Sequence, residues 1–249
     1  MELTEDRYAK IAENYARVQE NIAAAIARRN PAITTPVRVL AATKTVPPDE
    51  ILFAAQKLGI KLIGENRPQE LTAKYDALRG ADITQHFIGH LQVNKVRQVV
   101  GYVSLVESVD TERLAVELNR RSEMLGIVTD ILLEVNSGRE PNKSGLMPEA
   151  LPKAVEFCRA LPNLRLRGLM TMAPVCEEKE GYRKFFSETY KLYIDIFGKM
   201  LHNNIEPLQP ILSMGMSDSY EIAIEEGATE VRLGQAIFER RVYPQTEQK

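Results

Sequence analysis

Eight short apolar segments punctuate this chain, each followed by a helical pattern, and that alternation limits the fold more than any other feature. The segments are Val37–Lys44, Lys61–Gly64, Gln85–Gly89, Val103–Val109, Ile127–Val135, Leu164–Met170, Pro210–Met214 and Val231–Gly234. Helical patterns fill the intervals: Asp49–Leu58, a stretch from Pro68 to about Arg79, a short one ending at Val100, one capped by Asp110 or Thr111 and closed by Gly126, then Pro148–Ala160, Glu178–Asn203, Ser217–Glu226 and Ala236–Arg240. A further amphipathic helix, Leu3–Arg29, precedes them all, with Tyr8, Ile11, Tyr15, Val18, Ile22 and Ile26 spaced as one apolar stripe. At 249 residues no block is left over for a second unit, so residues 1–249 read as one (β/α)8 TIM barrel domain with an extra N-terminal helix. A doubly wound open sheet competes, but its early Gly-rich dinucleotide turn is missing.

Several function classes are disfavoured at once. A net charge of -2 gives no electrostatic case for nucleic acid. No apolar run approaches the roughly 18 residues that would suggest a membrane span. Glu2, Glu5 and Asp6 at the N-terminus argue against a secretory leader, and Cys158 and Cys176 read as reduced, small hydrophobes, so a cytoplasmic location is expected. The three histidines, His86, His90 and His202, form no metal-ligand pattern, and no metal is expected.

In such a barrel, chemistry gathers at the carboxyl ends of the strands, with a phosphate commonly held by the loops after strands seven and eight. Strand one ends in Lys44 ahead of Thr45-Val46-Pro47-Pro48, with Arg38, Leu40, Ala42 and Lys44 on one face. A lysine there is a solvated cation or a reactive amine. Strand seven runs into Gly215-Met216-Ser217 and strand eight into Gly234-Gln235. Each is a glycine ahead of a helical start, suited to an anion or simply to a turn and a cap. Arg232 shares the parity of Gly234 and should face the barrel interior or its mouth, paired with an inward carboxylate such as Glu134 or with a ligand. Lysine, phosphate cradle and arginine together describe a pyridoxal phosphate (PLP) site, with the lysine as Schiff-base partner and the arginine at the pyridine nitrogen. Asn66 after strand two either reaches the cofactor or caps the next helix. His90 fits a cap or a surface position, and Asn136, Lys143 and Ser144 lie in a loop that is either a lid or solvated. Met170, Met172, Met214 and Met216 read as packing residues that can also line a cofactor ring.

The ordered series Leu40-Ala41-Ala42-Thr43-Lys44-Thr45, Gly64-Glu65-Asn66, His86-Phe87-Ile88-Gly89-His90-Leu91-Gln92, Arg167-Gly168-Leu169-Met170, Ser213-Met214-Gly215-Met216-Ser217-Asp218 and Val231-Arg232-Leu233-Gly234 resembles the pyridoxal phosphate homeostasis protein family. That family is related to the barrel domain of alanine racemase. The resemblance runs from about Arg38 to Arg240. It implies an alanine-racemase-type barrel (PLP fold type III) with PLP held covalently on Lys44, and cofactor contacts from Asn66, Met214, Ser217, Arg232, Gly234 and Gln235. It also implies a role as carrier, buffer or regulator of PLP, with apo PLP enzymes as partners. Two positions depart from the family pattern: Gln235 replaces the usual Thr or Ser, so its backbone N–H must serve the phosphate, and Glu239 replaces a Gly.

An amino-acid racemase is the competing activity. It needs a base on each face of the cofactor adduct, and beyond Lys44 the nearest candidate is Tyr220. No extended apolar helix face stands out, so a monomer is expected.

Overall fold

The computed structural model describes residues 2–203 and 209–239. Eight strands close into an all-parallel barrel in sequence order, β1 next to β8. They are β1 (Arg38–Ala42), β2 (Leu62–Glu65), β3 (Thr84–Phe87), β4 (Leu105–Val109), β5 (Thr129–Val135), β6 (Leu164–Thr171), β7 (Ile211–Ser213) and β8 (Glu230–Leu233). The helices are α1 (Glu2–Arg28), α2 (Pro48–Leu58), α3 (Pro68–Leu78), α4 (Glu112–Leu125), α5 (Leu151–Arg159), α6 (Arg183–Asn203), α7 (Tyr220–Glu225) and α8 (Gln235–Phe238).

The expected barrel is therefore present, with three local differences. The β3–β4 crossover carries only a 3-10 segment, Val93–Gln98. The helix expected from Ser217 starts at Tyr220, because Ser219 turns its hydroxyl to the N–H of Met216 (3.1 Å) and closes a tight turn first. The last turn begins one residue early, at Gln235, and its expected end at Arg240 lies outside the described residues. Thr111, rather than Asp110, caps α4 by accepting from Leu114 N–H at 3.2 Å.

Strand alternation divides the buried residues into two sets. Ala41, Ile63, Phe87, Val106, Ile131, Leu133, Leu169, Leu212, Val231 and Leu233 face the helices and form the main core. Inside the barrel a small apolar group, Leu105, Leu132, Met170 and Ile211, sits with buried His86, Glu107, Glu230 and Arg232.

Helix α1 crosses α7, α8 and α2. Its buried positions are Ile11, Asn14, Val18 and Ala25, whereas Ile26 of the expected stripe is 45% exposed. Asn14 donates to the Ile237 carbonyl (3.2 Å) and Asn21 to the Tyr220 hydroxyl (2.9 Å). This helix thus braces the two short helices whose leading turns border the barrel mouth. Among the described residues no helix is long and apolar enough to cross a membrane.

Candidate functional site

At the carboxyl ends of the strands, Ala42, Lys44, Asn66, Ile88, Met172, Met216, Ser217, Asp218, Arg232, Gly234 and Gln235 enclose an open cleft of about 190 Å³. Six of the seven expected contact residues meet there. The seventh, Met214, is a correction of placement: its side chain is fully buried in the layer between strands and helices, because its position in the alternation points outward. Met216, two residues on, and Met172 line the cleft instead, 43% and 48% exposed.

Lys44 lies two residues past the end of β1 and is exposed, with no hydrogen-bond or ion-pair partner among the described residues. The next residue, Thr45, has φ of 62°, which a β-branched side chain adopts only under strain. Glu70 holds that turn by accepting the Thr45 N–H at 2.6 Å. Below it, Lys74 Nζ donates to the Thr43 carbonyl and to Glu65 Oε1, both at 2.7 Å, and the Thr43 hydroxyl donates to the same Glu65 oxygen at 2.7 Å. Burial pushes the Glu65 carboxyl above its ordinary range, against the pull of Lys74. The amine of Lys44 is therefore free while the backbone carrying it is clamped.

Asn66 follows β2, and its Oδ1 is buried with no partner. The chain is tight here: a Cβ on Gly89 would lie 2.0 Å from the Asn66 carbonyl oxygen, so only glycine fits after β3.

The loops after β7 and β8 form the opposite wall. Gly215 has φ of 92°, and a Cβ there would lie 2.6 Å from Ala223 Cβ. The Ser217 hydroxyl accepts from Ala236 N–H at 3.1 Å, tying one loop to the other and leaving its own hydrogen to donate. The backbone N–H groups of Ser217, Asp218 and Gln235 have no partner among the described residues. Three free amides and a hydroxyl make a neutral anion cradle, with the Asp218 carboxylate at its rim.

Arg232 is 4% exposed and reaches the cleft from inside the barrel. It makes no ion pair with Glu134, the expected inward carboxylate. Its Nη1 donates to Ser213 Oγ (2.8 Å) and its Nη2 to the Thr171 carbonyl (2.9 Å). Burial, then the nearby Asp110, pushes the Glu134 carboxyl up to about 7, with Arg232 pulling the other way.

Deeper in the barrel the Ser213 hydroxyl donates to Glu107 Oε2 (2.6 Å), and Glu107 Oε1 lies 2.8 Å from His86 Nδ1. Burial holds the imidazole neutral, down at about 4. Glu230 is fully buried, with Oε2 on Arg38 (2.7 Å) and Oε1 without a partner. Donor atoms of His86, Glu107 and Glu230 lie within 4.8 Å of one another, a spacing that would suit a metal. Here both Glu107 oxygens and one Glu230 oxygen are already engaged by hydrogen-bond donors. Burial, then the Glu107 charge, pushes the Glu230 carboxyl up to about 7.

This carboxyl carries a pH prediction. Its folded pKa lies above the ordinary value of 4.5, so its contribution is present below that value and is lost as pH rises through about 7. His86 works the other way: its folded pKa lies below the ordinary 6.5, so stability is lost as pH falls from there to about 4. Glu230→Gln should be more stable than wild type at about pH 8 and not at about pH 5 in urea unfolding. Parallel pH profiles would refute the raised pKa.

The remaining candidates lie outside the cleft. His90 is exposed, near Ser144 Oγ (3.1 Å) and Asp110 (3.4 Å). Asn136 folds its own loop, donating to the Glu140 carbonyl and accepting the Glu140 N–H. Tyr220 is buried against α1, its hydroxyl held by Asn21. Ala42 lines the cleft from the face of β1 that also points Lys44 to it, whereas Ile88 and Asp218, given no site role by the sequence, become cleft residues through barrel closure.

The model of the alanine racemase N-terminal domain matches residues 9–241. The chain is 42% identical over 231 residues to the pyridoxal phosphate homeostasis protein of Aquifex aeolicus, covering 93% of this chain and 98% of that one. With the protein of the same name from Pseudomonas aeruginosa it shares 38% over 235 residues, 94% of this chain and 96% of that one. Among solved structures it is similar to PipY of Synechococcus elongatus with PLP bound, at 30% identity and a TM-score of 0.74, covering 92% of this chain and 100% of that one.

Proposed function

Since the chain belongs to the alanine racemase N-terminal domain family and, within it, to the pyridoxal phosphate homeostasis proteins, we propose that it binds PLP in the cleft as a cofactor carrier or buffer. The observation that carries this reading is the convergence on one cleft of a partnerless lysine amine, an interior arginine and an amide-lined cradle.

The residues fit the group. Free N–H groups at Ser217, Asp218 and Gln235, with the Ser217 hydroxyl, suit the phosphate. Arg232 keeps N–H donors beyond the two spent on Ser213 and Thr171, and a guanidinium only donates, so its match is the unprotonated ring nitrogen. The Asn66 amide, with its unpartnered Oδ1, offers a donor and an acceptor beside Lys44. When bound, PLP supplies an aldehyde that an amine captures as a Schiff base, and an electron-accepting ring. Lys44 is that amine. Its clamped backbone and unpaired Nζ hold the ligand without a neighbouring side chain to direct a reaction. Lys44 and Asp218 are the two lining residues able to exchange a proton, and neither Tyr220 nor a histidine joins them among the described residues.

An arginine partner leaves the ring nitrogen unprotonated, which weakens its pull on electrons, and this too favours holding over turnover. The cargo passes to apo PLP enzymes, and one barrel copy suffices for the cleft. The test is a visible absorbance scan of protein mixed with PLP, followed by incubation with single L-amino acids in deuterated water. Carriage predicts lysine-linked absorbance and no D isomer. Sustained α-proton exchange with D isomer formed would establish the racemase instead, and no absorbance change would end the PLP reading.

A further inference from the structure

Arg232 is a buried cation with no ion pair of its own among the described residues. Such a group is costly unless something compensates its charge. The nearest link to a carboxylate is one hydroxyl long: Arg232 Nη1 to Ser213 Oγ at 2.8 Å, then Ser213 Oγ to Glu107 Oε2 at 2.6 Å. The direction of both bonds is forced. A guanidinium only donates and an ionised carboxylate only accepts, so the Ser213 hydrogen points at Glu107 and its lone pairs at Arg232. His86 closes the far end, its Nδ1 2.8 Å from the other Glu107 oxygen. All four side chains are at least nine-tenths buried.

We infer that Ser213 and Glu107 are positioning residues for Arg232: they fix the guanidinium at the cleft through one shared hydroxyl and supply its counter-charge from inside the barrel. A carboxylate bonded directly to Arg232 would engage its donors as a fork and turn them from the cleft. One hydroxyl between them keeps the charge balance and leaves donors for the ligand ring. Neither residue lines the cleft, so each acts through Arg232. This inference rests on the PLP reading.

The two positions separate by substitution. Ser213→Ala deletes the bridge, whereas Ser213→Thr keeps a hydroxyl. Glu107→Gln keeps the size and removes the charge. Its amide oxygen can still accept from Ser213, while its NH₂ faces His86, a neutral imidazole that meets it by moving its proton to Nε2.

Full-length wild type and the three variants are titrated with PLP, recording affinity and the absorption maximum of the bound form. Ser213→Ala should bind about tenfold more weakly, with its maximum moved, because a hydrogen bond to a charged group is lost. Ser213→Thr should restore both. Glu107→Gln should weaken binding about fivefold and also move the maximum. Should Ser213→Ala not fold, Ser213→Thr and Glu107→Gln decide between them. Unchanged affinity and maximum in Glu107→Gln, weaker binding with an unmoved maximum, or a threonine that does not restore the serine values would each overturn the positioning role. Wild type that takes up no PLP overturns the binding reading and this inference together. Wild-type uptake with unaltered variants overturns this inference only.

Discussion

Lys44→Ala should carry no PLP through borohydride reduction and unfolding, where wild type carries one adduct per chain. The expected effect is all-or-none because the bond needs a primary amine at the cleft, and Lys44 is the lysine among the lining residues. Reduction turns the reversible linkage into a stable secondary amine, so intact-mass spectrometry after denaturation counts it directly. Arg232, the Ser217 hydroxyl and the free amides of the cradle remain in the variant. It should therefore still take up PLP reversibly, with the spectrum of a free aldehyde. That second readout separates loss of the tether from loss of the pocket. A reducible adduct persisting in Lys44→Ala would move the covalent site elsewhere.

Lys74→Ala should cost roughly 3 kcal/mol of stability, the range expected when one member of a buried ion pair is removed. Lys74 is 9% exposed, and its Nζ meets Glu65 and the Thr43 carbonyl, both at 2.7 Å. Without it, Glu65 keeps the Thr43 hydroxyl and has no cation in contact, while its other oxygen already lacks a partner. The sign of the pH dependence follows. The Glu65 pKa is raised by burial even with Lys74 present, and removing the ammonium raises it further. The deficit should thus be smallest at low pH, where protonation removes the carboxylate charge, and should grow as pH rises. Urea unfolding at about pH 4.5 and pH 8 measures it. The double variant Glu65→Gln, Lys74→Met should recover more than half of the loss, because no unpaired charge stays buried. A single variant equally destabilised at both pH values would point to lost packing rather than a stranded carboxylate. Since this cluster clamps the carboxyl end of β1, the same change should also weaken PLP binding.

Much of the architecture was legible because barrel closure depends on features written locally. Eight runs of strand length alternate with helical patterns, and only the β3–β4 crossover fell short of the pattern, with a 3-10 segment. Lys44, Arg232, Gly234 and Gln235 could be placed at the mouth from strand parity and strand ends, and Ser217 from the loop after β7. Met214 shows the limit of the same reasoning. Its place at a strand end suggests the mouth, but alternation from inward-facing Ser213 turns it outward into the helix layer and leaves the cleft to Met216. The Ser217 helix start failed similarly, because Ser219 captured the Met216 N–H and delayed the helix to Tyr220.

By itself the sequence determined the strand count, the placement of Lys44 and Arg232 at the barrel mouth, and the glycines of its tight turns. These follow from residue types and spacings within a few positions of one another. The tertiary structure decided which charges meet. Arg38 with Glu230, Lys74 with Glu65, and Arg232 with Glu107 through Ser213 join strands and helices far apart in the chain. Such pairings depend on barrel register and burial, which no local pattern encodes. They decide whether the lysine and arginine at the mouth stand free to bind.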